Sequence, residues 1–284
     1  MLDIKHKKTG AVLASLDVQT LAQADLRDML LEDADLSGAD LSGAMLNDAN
    51  LVNANLSGAS LSGATLAGSH LNGADLSGAN LTGAKLGAQS KSAAAMLADC
   101  NLENCDLSRA DLRKVELRNC NLKGASLSRA DLRSADLSGA DMSNCTAHNA
   151  LFIKANLREA NLAGADFSDS HLNDANMIKA NLSGARLASR HPEGFTVINL
   201  ANLEGANLSG AQMQNISAED AILKHANLTN ADLSRAVMGG AILRSANVAG
   251  ANFEGVELAT VGMEFANFSK ALNAMIPSYK TNLR

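Results

Sequence analysis

From Leu21 to Leu86 a leucine recurs at every fifth residue without a gap. The period resumes at Leu97 and runs to Leu187, then resumes again at Ile198 and runs to Phe268. Of 48 such centres, 46 are large and apolar; only Ala147 and Ala218 are small. Two positions before the centre the residue is Ala 35 times and Cys four times. The unit reads A-(D/N)-L-S-G, as in Ala39-Asp40-Leu41-Ser42-Gly43. Neither regular element can bury such a pattern. An α-helix turns about 500° over five residues, so successive centres miss one another by about 140°. A strand alternates sides every residue, so an odd repeat sends each leucine to the opposite face. A chain that bends at every repeat does bury it. Four quarter turns close a coil of about twenty residues, and coils stack at ~4.8 Å with leucine and alanine pointing inward.

Composition fits a core of this kind. Aromatic residues are 2% of the chain and Trp is absent, so the usual aromatic packing is excluded. Hydrophobic residues are 46%, which excludes a disordered polyelectrolyte. The opening MLDIKHKKTG has no long apolar run, and no stretch of about 18 apolar residues occurs, so neither a signal peptide nor a membrane helix is expected. A cytoplasmic location follows as the expectation.

Over residues 19–268 the pattern resembles the pentapeptide-repeat family. The resemblance implies an all-β solenoid, a right-handed quadrilateral β-helix. At about twenty residues per coil this predicts about twelve coils and a rod of ~60 Å. Open ends need lids. Residues 1–18 are expected to form a hairpin that turns at Lys8-Thr9-Gly10. Residues 269–284 are expected to form a C-terminal cap: Leu272, Met275 and Ile276 at helical spacing predict a short helix that stops at Pro277.

Two interruptions break the phase, GAQSKSAAAM at 87–96 and ASRHPEGFTV at 188–197. Each separates its flanking centres by eleven residues, so each is a one-residue bulge across two poor repeats or a six-residue loop beyond one repeat. Pro192 and Gly194 favour a loop in the second. Being 101 residues apart, the two are expected on the same or adjacent faces, where they could clamp a partner. That makes Arg190, His191, Glu193 and Phe195 candidate contact residues.

No catalytic set is visible. The six histidines are scattered, without a Cys, Ser or carboxylate partner at a recurring spacing. Cys100, Cys105, Cys120 and Cys145 occupy the small inward position and read as thiols standing in for alanine. Cys100 and Cys120 would stack one coil apart, within reach of a disulfide, but a reducing location argues for thiols. No metal spacing, cofactor motif or cavity is expected, and the chain is read as a non-enzyme.

Function is therefore sought on the outside. Residues 19–86 carry 2 basic and 8 acidic groups, whereas 97–187 carry 11 and 12. The family resemblance implies a protein partner, and its loop-bearing members suggest DNA gyrase: rows of carboxylates could mimic duplex phosphates, in the manner of quinolone-resistance proteins. A rival reading uses Arg109, Arg113, Arg129 and Arg133, which stack in pairs twenty residues apart and could hold a polyanion or nucleic acid. Interleaved Asp106, Asp111, Glu116 and Asp131, and the lack of aromatic stacking residues, argue against direct nucleic-acid binding there. A purely structural scaffold is the blandest alternative. Finally Ile222 and Ile242, with His225 and Phe265, are expected to make an outward apolar patch. The tail or a second subunit could cover it, and the resemblance implies a homodimer through the C-terminal end.

Overall fold

The computed structural model describes residues 1–189 and 194–280. Its backbone divides into two compact units, Met1–Cys145 and Thr146–Arg284.

In the first unit, strand β1 (Leu2–His6) and strand β2 (Val12–Leu16) pair antiparallel, with Leu2 opposite Leu16 and Ile4 opposite Ala14. Gly10, at φ +70°, lies in the connecting turn, where the His6 N–H donates to the Ala11 carbonyl at 2.8 Å. The other edge of β1 pairs antiparallel with β3 (Ala34–Asp35), which belongs to the first coil. The hairpin thus supplies backbone partners to an edge that would otherwise be open.

From Asp25 onward the coil-to-coil pairing is parallel and steps by twenty residues. Asp25 pairs with Met45, Leu30 with Asn50, Asp35 with Asn55 and Asp40 with Ser60. Four pentapeptides therefore make one turn. Each repeat uses its backbone in the same way. The Leu51 N–H donates to His70 O (2.7 Å) and the Asn53 N–H to Asn72 O (3.0 Å), both on the next coil. The Ala54 N–H donates back to Leu51 O (2.9 Å) and closes a tight turn. That turn places the residue two after each centre at positive φ, +56° for Asn53. Gly, Asn and Asp tolerate this region best, which accounts for the small or polar residue at that corner.

Across the first interruption the step lengthens from twenty to twenty-six on every ladder. His70 pairs with Met96, Asp75 with Asn101, Asn80 with Asp106 and Lys85 with Asp111. Six residues are extruded and the coil then continues in register, so the interruption is a loop and not a bulge. Its tip carries a 3-10 turn at Lys91–Ala93.

The second unit repeats this plan. Asn161 pairs with Asn181 at a step of twenty, and the ladder lengthens to twenty-six at Asn181–Asn207 and His171–Val197. Inside, the leucine and alanine columns are closed to solvent; Leu157, Leu162, Ala160 and Ala165 are all at 0% exposure. The two small centres are compensated. Phe167, one coil from Ala147, meets Phe152 edge-on at 5.4 Å between ring centroids. Ile216 replaces the usual alanine beside Ala218.

The expected helix over Leu272–Ile276 is not formed. Leu272 instead extends the ladder, paired with Asn252. Its N–H donates to Ala251 O at 2.8 Å and its carbonyl accepts from Phe253 at 2.9 Å, so its backbone is spent on the previous coil. Asn273, at φ +57°, then turns the chain out. Pro277 precedes a 3-10 turn at Ser278–Lys280 instead of ending a helix. No helix among the described residues is long and apolar enough to cross a membrane.

Candidate functional site

With the interior filled by side chains, chemistry is confined to the outward columns. Among the described residues no three His, Cys, Asp or Glu side chains gather into a metal-holding group. The four thiols are free and buried. Cys100 and Cys120 lie on consecutive coils and donate to the carbonyls of Leu71 (2.9 Å) and Leu97 (2.8 Å). The neighbouring Cys100 thiol and burial push Cys120 well above the usual thiol range, and burial does the same to Cys105. Such thiols are poor nucleophiles. His148 stands 2.9 Å from Asp166. Ser168 spends its hydroxyl on that same carboxylate at 2.5 Å, so the three do not form a nucleophile–base pair.

The arginine corner divides into two kinds of residue. Arg113 forms a forked pair with Asp111 (2.6 and 2.8 Å), and Arg133 does the same with Asp131. Arg118 is paired with Glu116. Arg109 and Arg129 are exposed, and among the described residues neither makes an ion pair. Both hold the positive-φ corner, at +60° and +61°, where glycine would be cheaper. The first loop roots against the same repeats: Gly87 N–H donates to Asp111 O (2.8 Å), and the Lys114 ammonium donates to Gln89 O. The sequence separates loop and arginines by some twenty residues; the twenty-six-residue step is what brings them together.

Of the second interruption, Arg190, His191 and Glu193 lie outside the described residues. Phe195 is 54% exposed. The root is clasped by Asp169, whose carboxylate accepts from Ser189 Oγ (2.5 Å) and whose N–H donates to Thr196 Oγ1 (3.0 Å). Thr196 in turn donates to Phe167 O (3.1 Å). This clasp is not apparent from the sequence, because Asp169 occupies an ordinary corner position.

Ile222 and Ile242 are bridged neighbours, both half-buried. Phe265, 69% exposed, and His225 stand in the corner column, two coils apart with Ser245 between them. The column carrying Lys224, Arg244 and Glu264 runs between corner and isoleucines, so the four groups do not make one apolar patch. The tail does not settle on the isoleucines either. Tyr279 Oη donates to Ala259 O (3.1 Å), and Lys280 Nζ donates to Leu258 O (3.2 Å) and Val261 O (2.7 Å). Met275 is left 84% exposed.

At the acidic end, a forked bond from Arg27 pulls Asp25 down to about 2. Lys7 sits 3.0 Å from Asp33 and holds its carboxyl below the usual range. The hydroxyl and N–H of Ser37 and Ser42 do the same for Asp35 and Asp40. These carboxylates stay charged, but Lys7 from the hairpin and Arg27 offset part of the field. Lys7 falls outside the span in which the sequence counts that charge.

A surface dent lies away from every candidate residue that the sequence suggests. Asn199, Leu200, Glu219, Asp220, Gly239, Gly240 and Thr260 line it. The sequence carries a signal for it: Gly239-Gly240 is the only Gly-Gly in the chain, and Leu200, with Phe265, is a large apolar residue at a corner elsewhere given to small or polar ones.

A family model described as pentapeptide repeats matches in eight copies, covering residues 20–87, 93–146, 150–187 and 201–258. Among solved structures, the chain is similar to HetL, a pentapeptide repeat protein involved in heterocyst differentiation regulation from the cyanobacterium Nostoc sp. strain PCC 7120. The identity is 31% over 81% of this chain and 89% of that one, with a TM-score of 0.36. It is also similar to QnrB1, a plasmid-mediated fluoroquinolone resistance protein, at 19% identity over 78% and 90% of the two chains and a TM-score of 0.27. No curated protein matches. The five-residue period, the twenty-residue ladder that it builds and the match over most of its length agree: the chain belongs to the pentapeptide-repeat family.

Proposed function

We propose that the chain is a non-enzymatic protein-interaction solenoid, a right-handed four-sided coil of about twelve turns whose outward columns carry all recognition. The observation that supports this is the closed interior. Centres such as Leu51, Leu132 and Leu208 are at 0% exposure, which leaves no room for a substrate among them. The sharper form of the reading is a modulator of DNA gyrase that imitates DNA. Its support is the set of carboxylates Asp25, Asp33, Asp35 and Asp40, which hydrogen bonds keep charged. A supercoiling assay with purified gyrase, with and without a quinolone, tests it: inhibition or protection at near-stoichiometric protein is expected, and no effect at large excess removes the gyrase reading.

A second reading is favoured by one observation, the absence of an ion pair at Arg109 and Arg129 among the described residues. Two exposed cations one coil apart could grip a polyanion. DNA filter binding at two salt concentrations decides it, since phosphate contacts must weaken as salt rises.

A further inference from the structure

We propose that the dent on the second unit is a docking groove for an extended protein segment of the pattern apolar-x-basic-x-apolar. Three consecutive coils present different chemistry there. On the first, Leu200 is 55% exposed. It sits at φ +60°, a conformation that disfavours a bulky side chain. Leu200 and Phe265 are the only two apolar residues among the described non-glycine residues at positive φ. On the second coil stand two exposed carboxylates. Glu219 is oriented by Asn199, whose Nδ2 donates to Glu219 Oε2 at 3.2 Å and whose Oδ1 accepts from the Glu219 N–H at 3.0 Å. Asp220 has no hydrogen-bond or ion-pair partner of its carboxylate among the described residues. On the third coil Gly239 opens the dent, since only Thr260 Oγ1, at 3.9 Å, lies near where its Cβ would stand, whereas the Asp220 carboxylate lies over Gly240. Val237 of the same repeat is 53% exposed.

The backbone ties these coils in order. Leu200 N–H donates to Glu219 O and Asp220 N–H to Gly239 O, each at 2.9 Å. Gly240 N–H reaches Thr260 Oγ1 at 3.3 Å. Leu200 to Gly239-Gly240 is two coil steps, about 10 Å, and Thr260 closes the dent one step further, at about 14 Å. An extended segment places its first, third and fifth side chains on one side over about the same 14 Å. Its order then matches the groove: an apolar side chain against Leu200, a cation over Glu219 and Asp220, and an apolar side chain over Gly239, in the space that runs up to Thr260. Neither column of the groove carries a Lys or Arg from Asn199 through Thr260, and the Lys280 ammonium of the tail, which reaches the Thr260 end, is bonded to the Leu258 and Val261 carbonyls.

This inference rests on the reading of the chain as a protein-binding solenoid and names one of its surfaces. The probe is the peptide Ac-Leu-Ser-Arg-Ser-Leu-NH2, titrated into isotope-labelled full-length protein and followed by amide chemical shifts. Shifts are expected at Leu200, Asp220 and Gly240, with binding weakened at least tenfold when citrulline replaces arginine. Glu219→Gln with Asp220→Asn should weaken it as much, and asparagine keeps the corner conformation. Gly239→Leu should block it by filling the dent; a Cβ there meets only Thr260 Oγ1, at 3.9 Å, so the coil is undisturbed. Absence of localised shifts at millimolar peptide, or equal binding by the citrulline peptide or by the Gly239→Leu protein, would overturn the groove. No gyrase is present in this experiment. Its failure therefore leaves the supercoiling result standing, and a negative supercoiling result leaves the groove standing.

Discussion

Ile216 and Ala218 exchange the sizes that their two columns carry elsewhere: the large side chain comes two residues before the centre and the small one at it, and both are fully buried. The volume of the repeat is conserved while its shape is inverted. Ala218→Leu alone overpacks the coil and should cost about 1–3 kcal/mol. Ile216→Ala alone opens a cavity and should cost about 2–5 kcal/mol. The double variant restores the common pattern and should recover most of both losses. A thermal melt of all four proteins measures the coupling, and additive losses would mean that the two side chains do not share one space.

The extruded loops make register testable. Removing residues 88–93 leaves Leu86 and Leu97 five apart, as in the uninterrupted repeat. The coil should remain cooperative, with a loss of about 1 kcal/mol from alanine at a positive-φ corner. Removing one residue fewer leaves the centres six apart and forces a bulge. The first deletion should melt near the parent and the second clearly below it; equal melting temperatures would contradict the six-residue insertion.

Corner strain gives a prediction of opposite sign. Leu200→Gly relieves a bulky side chain at φ +60°. It should leave stability unchanged or raise it by up to about 1 kcal/mol, despite the loss of apolar surface. A denaturant midpoint lowered by the substitution would show that Leu200 serves the fold.

Much of this architecture is legible in the sequence because one period of five carries it. The inward positions of Leu51, Ala54 or Cys100 follow from spacing alone. What escapes is anything set by distance across coils. Asp169 looks like any corner aspartate until the second interruption returns to it. Lys7 meets Asp33 only because β1 pairs with β3. Leu272 misleads for the same reason: its spacing from Met275 and Ile276 suits a helix, while the free edge at Asn252 offers its backbone better partners. Ile222, His225 and Phe265 share a face, but the charged column of Lys224, Arg244 and Glu264 runs between them.

Acid should weaken the arginine corner. The Arg113 fork holds the Asp111 carboxyl below its ordinary value, so folding is favoured while that group is ionised. The contribution is complete above the unfolded carboxylate pKa, near 4, and is lost as pH falls through the lower folded value. Both partners are about one-third exposed or less. The pair should therefore be worth about 0.5–1 kcal/mol, after allowance for solvent screening. Asp111→Asn should lower the melting temperature at pH 7, and the gap should narrow as pH falls below the ordinary carboxylate range; a gap of unchanged width in acid would assign the effect to packing.

The account stands on the inward direction of the five-residue period, and a paired melt tests it most directly. Leu132 is at 0% exposure, whereas Ser138 holds an outward column with its N–H and hydroxyl on Asp136. Leu132→Asp buries an unpaired carboxylate and should cost several kcal/mol or prevent folding, whereas Ser138→Lys should stay within about 0.5 kcal/mol of the parent. Two variants melting within a degree or two of each other would contradict the inward spine and everything built on it.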